Sequence, residues 1–308
     1  MKIIFLGTPT FALPTLEALI NSHHEILAVV TQPDTAKNRG KKIIPTPVKQ
    51  LATKHGLKVL QYNKIRVEGV EEIKAMNPDI MVTCAYGQIL SQKLIDIPTH
   101  GIINVHGSLL PKYRGAAPIQ WSVLNGDKKT GITLMKTERG IDTGDMLITR
   151  EIEIEDTDTS GSMFEKLSVL GGEIILQGLA LIESGNAVFT PQDHESATHA
   201  RMIEKEDGEI DFSKSSREIF NHIRGMNPSP SAYFQYNGEK IKIHASEILQ
   251  GEFFGNTGEI LTADRKNGIT IKTADGAIAI KNLQFPNSKA VSDKDFLNGR
   301  SLEIGINL

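Results

Sequence analysis

Gly101-Ile102-Ile103-Asn104-Val105-His106-Gly107-Ser108-Leu109-Leu110-Pro111-Lys112-Tyr113-Arg114-Gly115 decides how this chain is read. Its short apolar start, bounded by turn residues, has the form of the end of a buried strand. Side chains alternate faces along a strand, so Asn104 and His106 share one. An amide donor and an imidazole then project together from the strand's carboxyl end. Open α/β sheets place their ligand crevices there.

On the amino-terminal side, residues 2–6 read as a first buried strand. Gly7-Thr8-Pro9 is the turn, and Phe11, Leu13, Leu16 and Leu19 are the apolar face of a first helix. Residues 26–31, 57–60 and 79–83 are further strands, with a helix over 67–76 and an irregular polar loop over 32–42. The repeated strand–helix rhythm predicts a Rossmann-like α/β domain with a mostly parallel sheet and right-handed crossovers. G-x-G-x-x-G is missing and only Gly7 is in place, so the sequence does not provide for close backbone approach to a pyrophosphate.

On the carboxyl-terminal side come a short helix over 117–124, strands over 131–136 and 146–154, and a long helix over 160–182 capped by Ser160. The α/β domain is therefore expected over 1–185, and the polar stretch 186–205 as a linker, its irregular sequence suiting a wrapping segment as well. In the remaining domain, 206–308, a helix near 216–224 precedes five short strand-like runs: 232–236, 240–247, 258–261, 268–273 and 276–283. Such runs, separated by turn signals, predict a small β-barrel of the OB-like kind.

The 308 residues carry a formal net charge of −3, so any contact with nucleic acid has to be local. From Thr35 to Lys58 there is no acid, while Lys37, Arg39, Lys41, Lys42, Lys49, Lys54 and Lys58 are basic. In an acidic chain, that excess points to phosphate contacts rather than to a merely solvated loop. The single cysteine, Cys84, sits in an apolar run and reads as a small buried hydrophobe. No apolar run approaches a membrane span and the amino-terminal one is too short for a signal peptide, which predicts a cytoplasmic protein. Neither a coiled coil nor a large apolar stripe is evident, so a monomer is expected.

Between two of the strands, Arg139-Gly140-Ile141-Asp142-Thr143-Gly144-Asp145 sets two carboxylates among glycines. Acids in such places are commonly turn-formers. Asn104, His106 and Asp142 together also suit acyl transfer in which the substrate brings its own nucleophile. No activated Ser, Cys or Thr stands out, and no metal-ligand cluster or HExxH pattern either. The amide and the imidazole would stabilise an oxyanion. The carboxylate would orient the imidazole and order a water that relays protons. A satisfied histidine and a capping asparagine fit the spacing as well.

Asn104 to Pro111, with Arg114-Gly115-Ala116-Ala117-Pro118 and Gly140-Ile141-Asp142-Thr143-Gly144-Asp145, resembles the signature of the folate-dependent formyltransferases. Within that family the likeness is to the branch acting on methionyl-tRNA. Thr31-Gln32-Pro33-Asp34 and Arg39-Gly40-Lys41-Lys42 resemble the basic insertion loop of that branch. Ala85-Tyr86-Gly87, Gly208-Glu209-Ile210-Asp211-Phe212 and Met226-Asn227-Pro228-Ser229-Pro230 match it too, so the likeness covers nearly the whole chain. It implies a transferase that passes the formyl group of 10-formyltetrahydrofolate to the α-amine of methionine on initiator tRNA, for translation initiation and without a metal. Asn104, His106 and Asp142 would be catalytic. Ser108, Leu109, Leu110, Pro111, Tyr86 and Gly87 would meet the folate. Arg39 would enter the end of the acceptor stem, with Lys41 and Lys42 on phosphates. Two other functions remain: formylation of a small amine such as an aminosugar nucleotide, and nucleotide or RNA binding without catalysis. The basic loop and the Gly140–Gly144 turn favour tRNA over the first. Full biological activity after Asn104→Ala or His106→Ala would favour the second.

Overall fold

The computed structural model describes residues 1–37 and 42–308, with the side chains of Ala36, Lys37 and Lys42 left aside. The chain divides into two compact units, one made of Met1–Pro118, Lys129–Ile152 and Phe164–Ala200, the other of Ile119–Lys128, Glu153–Met163 and Arg201–Leu308.

In chain order the elements are β1 (Lys2–Gly7), α1 (Leu13–Ile20), β2 (Glu25–Thr31), β3 (Thr35–Lys37), β4 (Lys42–Ile44), α2 (Pro47–Lys54), β5 (Val59–Gln61), α3 (Ile65–Glu68) and α4 (Val70–Met76). There follow β6 (Ile80–Cys84), α5 (Gln92–Ile95), β7 (Ile102–His106), β8 (Arg114–Gly115), α6 (Pro118–Leu124), β9 (Lys129–Lys136), β10 (Met146–Glu153), α7 (Ser160–Glu183) and β11 (His199–Ala200). The main sheet runs β10-β9-β7-β6-β1-β2-β5. From β7 to β5 its neighbours are parallel, and β9 joins β7 antiparallel. Ile3, Ile4, Phe5 and Leu6 are wholly buried, as expected of a central parallel strand covered on both faces. Strand order reverses beside β1, where the chain returns from β5 to β6, and the carboxyl ends of these strands flank that switch point. There Thr8 Oγ1 and Gln32 Nε2 both donate to the Tyr86 carbonyl, at 2.9 and 3.2 Å.

Local chemistry accounts for several boundaries. Thr46 caps α2 by accepting from the Lys49 N–H at 3.1 Å, with Pro47 pre-set for the first turn. The helix expected over 67–76 breaks at Gly69 into α3 and α4. The loop expected over 32–42 contains a small hairpin, in which Thr35 pairs with Ile44 and Lys37 with Lys42. The stretch expected as a linker, 186–205, is divided: its part up to Ala200 packs into the first unit. The reason is hydrogen bonding: Thr190 pairs with Met146, and β11 pairs with β8.

The second unit continues with α8 (Ser216–Gly225), β12 (Ala232–Tyr236), β13 (Glu239–Leu249), β14 (Ile260–Asp264), β15 (Gly268–Lys272), β16 (Ala277–Gln284), β17 (Val291–Ser292) and α9 (Asp293–Phe296). Where the sequence predicts a small barrel, an antiparallel sheet runs β12-β13-β16-β15-β14, with β17 on β16. A capping box between Ser215 and Glu218 starts α8, whose Ile219 and Ile223 join Phe234, Ile243, Ile271 and Ile280 in one core. Among the described residues no helix is long and apolar enough to cross a membrane. Cys84 is buried, which pushes its thiol up to about 12 and leaves it a small hydrophobe.

Candidate active site

Asn104 and His106 stand two residues apart at the carboxyl end of β7. Asn104 is level with Thr83 on β6, whose Oγ1 donates to Asn104 Oδ1 at 2.9 Å. That bond fixes the amide and makes Nδ2 the side that can donate to a ligand. His106 is buried, with Nε2 3.0 Å from the Tyr113 carbonyl oxygen. A carbonyl only accepts, so Nε2 carries a hydrogen. Nδ1 faces Asp142 Oδ2 at 3.6 Å. This is too long for a hydrogen bond and short enough for attraction between charges. The Tyr113 carbonyl therefore holds the ring at Nε2, while the carboxylate expected to orient it lies beside Nδ1. With Nε2 so occupied, Nδ1 is the ring atom left to face a polar atom entering beside Asp142.

Asp142 sits in the turn between β9 and β10 with a left-handed backbone, φ 52°. Its Oδ2 accepts from the Gly115 N–H at 2.9 Å. Gly115 has φ 116°, and a Cβ there would lie 2.7 Å from the Ala200 carbonyl oxygen. Gly144 closes the same turn, where a Cβ would lie 2.1 Å from the Lys136 carbonyl oxygen. Only glycine fits either place.

The segment 190–200, part of the stretch whose polar, irregular sequence suits a linker or a wrapping segment, laces these parts together. Met146 and Thr190 exchange backbone hydrogen bonds of 2.8 Å, and Arg114 N donates to the Thr198 carbonyl at 2.8 Å. Buried Gln192 donates through Nε2 to the carbonyls of Asp142 (2.9 Å) and Gly144 (2.7 Å). Its Oε1 accepts from Nε and Nη2 of buried Arg114, at 3.0 and 2.7 Å. Pro191-Gln192-Asp193 reads locally as a turn, so no periodic signal marks the glutamine.

The residues expected to meet folate divide in two. Ser108 is wholly buried, its Oγ donating to the Lys112 carbonyl at 2.6 Å and its carbonyl accepting from Thr133 Oγ1 at 2.7 Å. That hydroxyl closes the turn and is not offered to a ligand. Leu110 is buried, and Leu109 and Pro111 are half-buried. The Tyr86 ring lies in the apolar cluster with Ile4, Leu6 and Met81, and burial pushes its phenol up. Among the described residues its hydroxyl has no hydrogen-bond partner. Exposed Gly87 follows it, with φ 87°. Of the expected tRNA contacts, Arg39 and Lys41 lie outside the described residues, and Lys42 is placed only as backbone in β4. Two other bases of the loop region have internal partners. Lys49 pairs with Asp34 at 2.5 Å and Lys58 with Glu72 at 3.0 Å.

The sequence profile described as formyl transferase matches residues 1–179, and that described as formyl transferase, C-terminal domain, matches 202–301. A methionyl-tRNA formyltransferase of Ruminiclostridium cellulolyticum is 47% identical over 311 residues, covering 99% of this chain and 98% of its own. One from Clostridioides difficile is 44% identical over 307 residues, covering 99% of each. Among solved structures, the N-formyltransferase from Helicobacter canadensis, in complex with folinic acid and dTDP-3-aminofucose, superposes with a TM-score of 0.71 at 21% identity. It covers 93% of this chain and 100% of its own. HypX from Aquifex aeolicus in complex with tetrahydrofolic acid gives 0.63 at 18% identity over 96% of this chain, which spans 47% of HypX. At such identities the two structures speak for the fold alone.

Proposed function

The chain belongs to the formyl transferase family, and we infer that it formylates methionine carried on tRNA, with a folate as formyl donor. The observation that carries this is identity of 44–47% to methionyl-tRNA formyltransferases across both units rather than across a motif. In finer detail, the donor is 10-formyltetrahydrofolate and the acceptor the α-amine of methionine on initiator tRNA. The site is cytoplasmic and the working species a monomer.

The chemistry follows from the geometry around β7. The free amine attacks the formyl carbon, a carbon–nitrogen bond forms to methionine, and the bond from that carbon to the folate nitrogen breaks. No side-chain nucleophile is needed. Asn104 Nδ2 and a proton on His106 Nδ1 face the formyl oxygen as it gains charge. Because Thr83 and the Tyr113 carbonyl already hold these groups, little reorganisation is required, and each such donor contributes about 3–4 kcal/mol. Asp142, its carboxylate held by the Gly115 N–H, relays the proton that the amine loses to the leaving folate nitrogen. Leu109, Leu110 and Pro111 cover the folate ring, and the backbone of the Ser108 turn and of Tyr86-Gly87 meets its polar edges. Arg39 enters the end of the acceptor stem, where opening a weak terminal pair costs less than opening a sound one, and Lys41 and Lys42 hold phosphates. The second unit adds surface along the tRNA.

The test is incubation with 10-formyltetrahydrofolate and methionine-charged initiator tRNA, beside charged elongator tRNA. Formyl-methionine on the initiator alone is the expected result. Folate turnover with neither tRNA labelled would move the acceptor to a small amine. Arg39→Ala should narrow the difference between the two tRNAs while folate binding is kept.

A further inference from the structure

We propose that Gln192 is a positioning residue for formyl transfer, holding Asp142 in place through its backbone and through the strand that grips its carboxylate. The inference rests on the role given above to Asp142. A glutamine amide has two N–H donors and an oxygen with two lone pairs, and here all four positions are filled. Nε2 donates to the carbonyls of Asp142 and Gly144, and Oε1 accepts from Arg114 Nε and Nη2. The orientation of the amide is thereby determined. Turned over, it would set N–H groups against a guanidinium and an oxygen against two carbonyls.

The groups joined are the two supports of one carboxylate. On one side is the turn bearing Asp142, whose φ of 52° a non-glycine residue keeps only where its surroundings impose it. On the other is β8, in which Gly115 follows Arg114 and donates its N–H to Asp142 Oδ2 at 2.9 Å. A single buried amide therefore sets both the backbone of Asp142 and the donor that fixes its side chain, and with them the 3.6 Å between Oδ2 and His106 Nδ1. Arg114 Nη2 also lies 3.0 Å from His194 Nδ1, which keeps the guanidinium in register with the 190–200 segment. Without Gln192, the carbonyls of Asp142 and Gly144 and the Arg114 guanidinium each lose a hydrogen-bond partner, and the Asp142 turn can relax. A displacement of about 1 Å in a reacting group costs on the order of a hundredfold in rate.

The experiment measures kcat, and KM for the folate donor, in Gln192→Ala, Gln192→Glu, Asp142→Asn and the double variant Gln192→Ala/Asp142→Asn. Gln192→Ala should lower kcat by about tenfold to a hundredfold with KM little changed. Gln192→Glu keeps both acceptors for Arg114 but sets an oxygen against the carbonyls of Asp142 and Gly144. It should also lose kcat, and serves the comparison if the alanine variant does not fold. If Gln192 works through Asp142, removing it from the Asp142→Asn protein should cost little more, so the two losses do not multiply. Losses that multiply, or a Gln192→Ala protein with a lowered Tm and an undiminished kcat, would overturn the inference alone. A wild-type rate in Asp142→Asn by itself would overturn the role of Asp142, and the inference with it.

Discussion

Two glutamines hold two loops on opposite sides of the main sheet, and they do so with different chemistry. Gln192 ties the Asp142 turn through four hydrogen bonds to backbone carbonyls and a buried arginine. Gln61, at the end of β5, holds the root of the β3–β4 hairpin. Its Nε2 donates to the Gln32 carbonyl and to Asp34 Oδ1, at 2.9 and 2.7 Å, while its Oε1 accepts from Lys49 Nζ at 2.8 Å. Lys49 closes this group by pairing with Asp34 at 2.5 Å, both being partly exposed. The first clamp is buried and rests on a neutral amide, so salt and acid reach it little. The second is built on charge near the surface, where both act on it. Chemistry on a formyl carbon needs a carboxylate held to fractions of an ångström. On the function proposed above, the hairpin would present cations to a phosphate backbone, which asks only that the loop start in the right place.

The largest effect should come from the two donors at the end of β7, beside the carboxylate that the buried clamp holds. Asn104→Ala or His106→Ala should each lower kcat by about a hundredfold or more with folate affinity kept, as for loss of an oxyanion donor. Single-turnover rates at saturating tRNA would show it. A near-normal rate in either protein would mean that this precise corner has no chemistry to support, and the contrast with the hairpin root would vanish. Next comes Gly115→Ala, which strikes the corner's backbone. The added Cβ meets the Ala200 carbonyl at a φ that disfavours alanine, so the variant should lose about 1–3 kcal/mol in denaturant unfolding, and part of its kcat. Unchanged stability would show that the β8–β11 pairing yields easily, and that the corner is less rigid than its hydrogen bonds imply.

How much of this could be read beforehand depends on the range of each interaction. Asn104 and His106 share a face because a strand has a period of two, and Leu16, Leu19 and Ile73 are buried because helices have theirs; both patterns are local. The parallel part of the main sheet, from β7 to β5, follows from the same rhythm. The site's supports are not local. Gln192 lies fifty residues from Asp142 and nearly eighty from Arg114 in the chain, and reads as part of a polar turn. Ser108 and Tyr86 sit in recognisable motifs, yet a motif does not say which way a side chain points. One hydroxyl closes a turn and one ring fills the core. Lys49 looked like one more base in a basic run because Asp34 and Gln61, its partners, come from either side of that run.

The smallest effect belongs to the charged clamp, and it is the one that separates the two designs. The Lys49 ammonium, hydrogen-bonded to Asp34, holds that carboxyl below its usual range, with Gln61 adding to the effect against some desolvation. A carboxyl lowered in the folded state stabilises the fold fully above its unfolded value of about 3.9, and ceases to as pH falls through the lower folded value. Asp34→Asn should therefore cost about 1 kcal/mol or less at neutral pH and low salt, the scale of a partly exposed pair. The difference from the unaltered protein should shrink in high salt, begin to shrink below about pH 4, and close once pH has fallen through the lower folded value. Thermal unfolding of the two proteins across pH and salt reads this directly. The corresponding difference for Gln192→Ala should hold steady through the same salt series, since no ion pair is lost there. Should both differences fall alike with salt, the distinction between a neutral clamp for chemistry and a charged one for recognition would not stand.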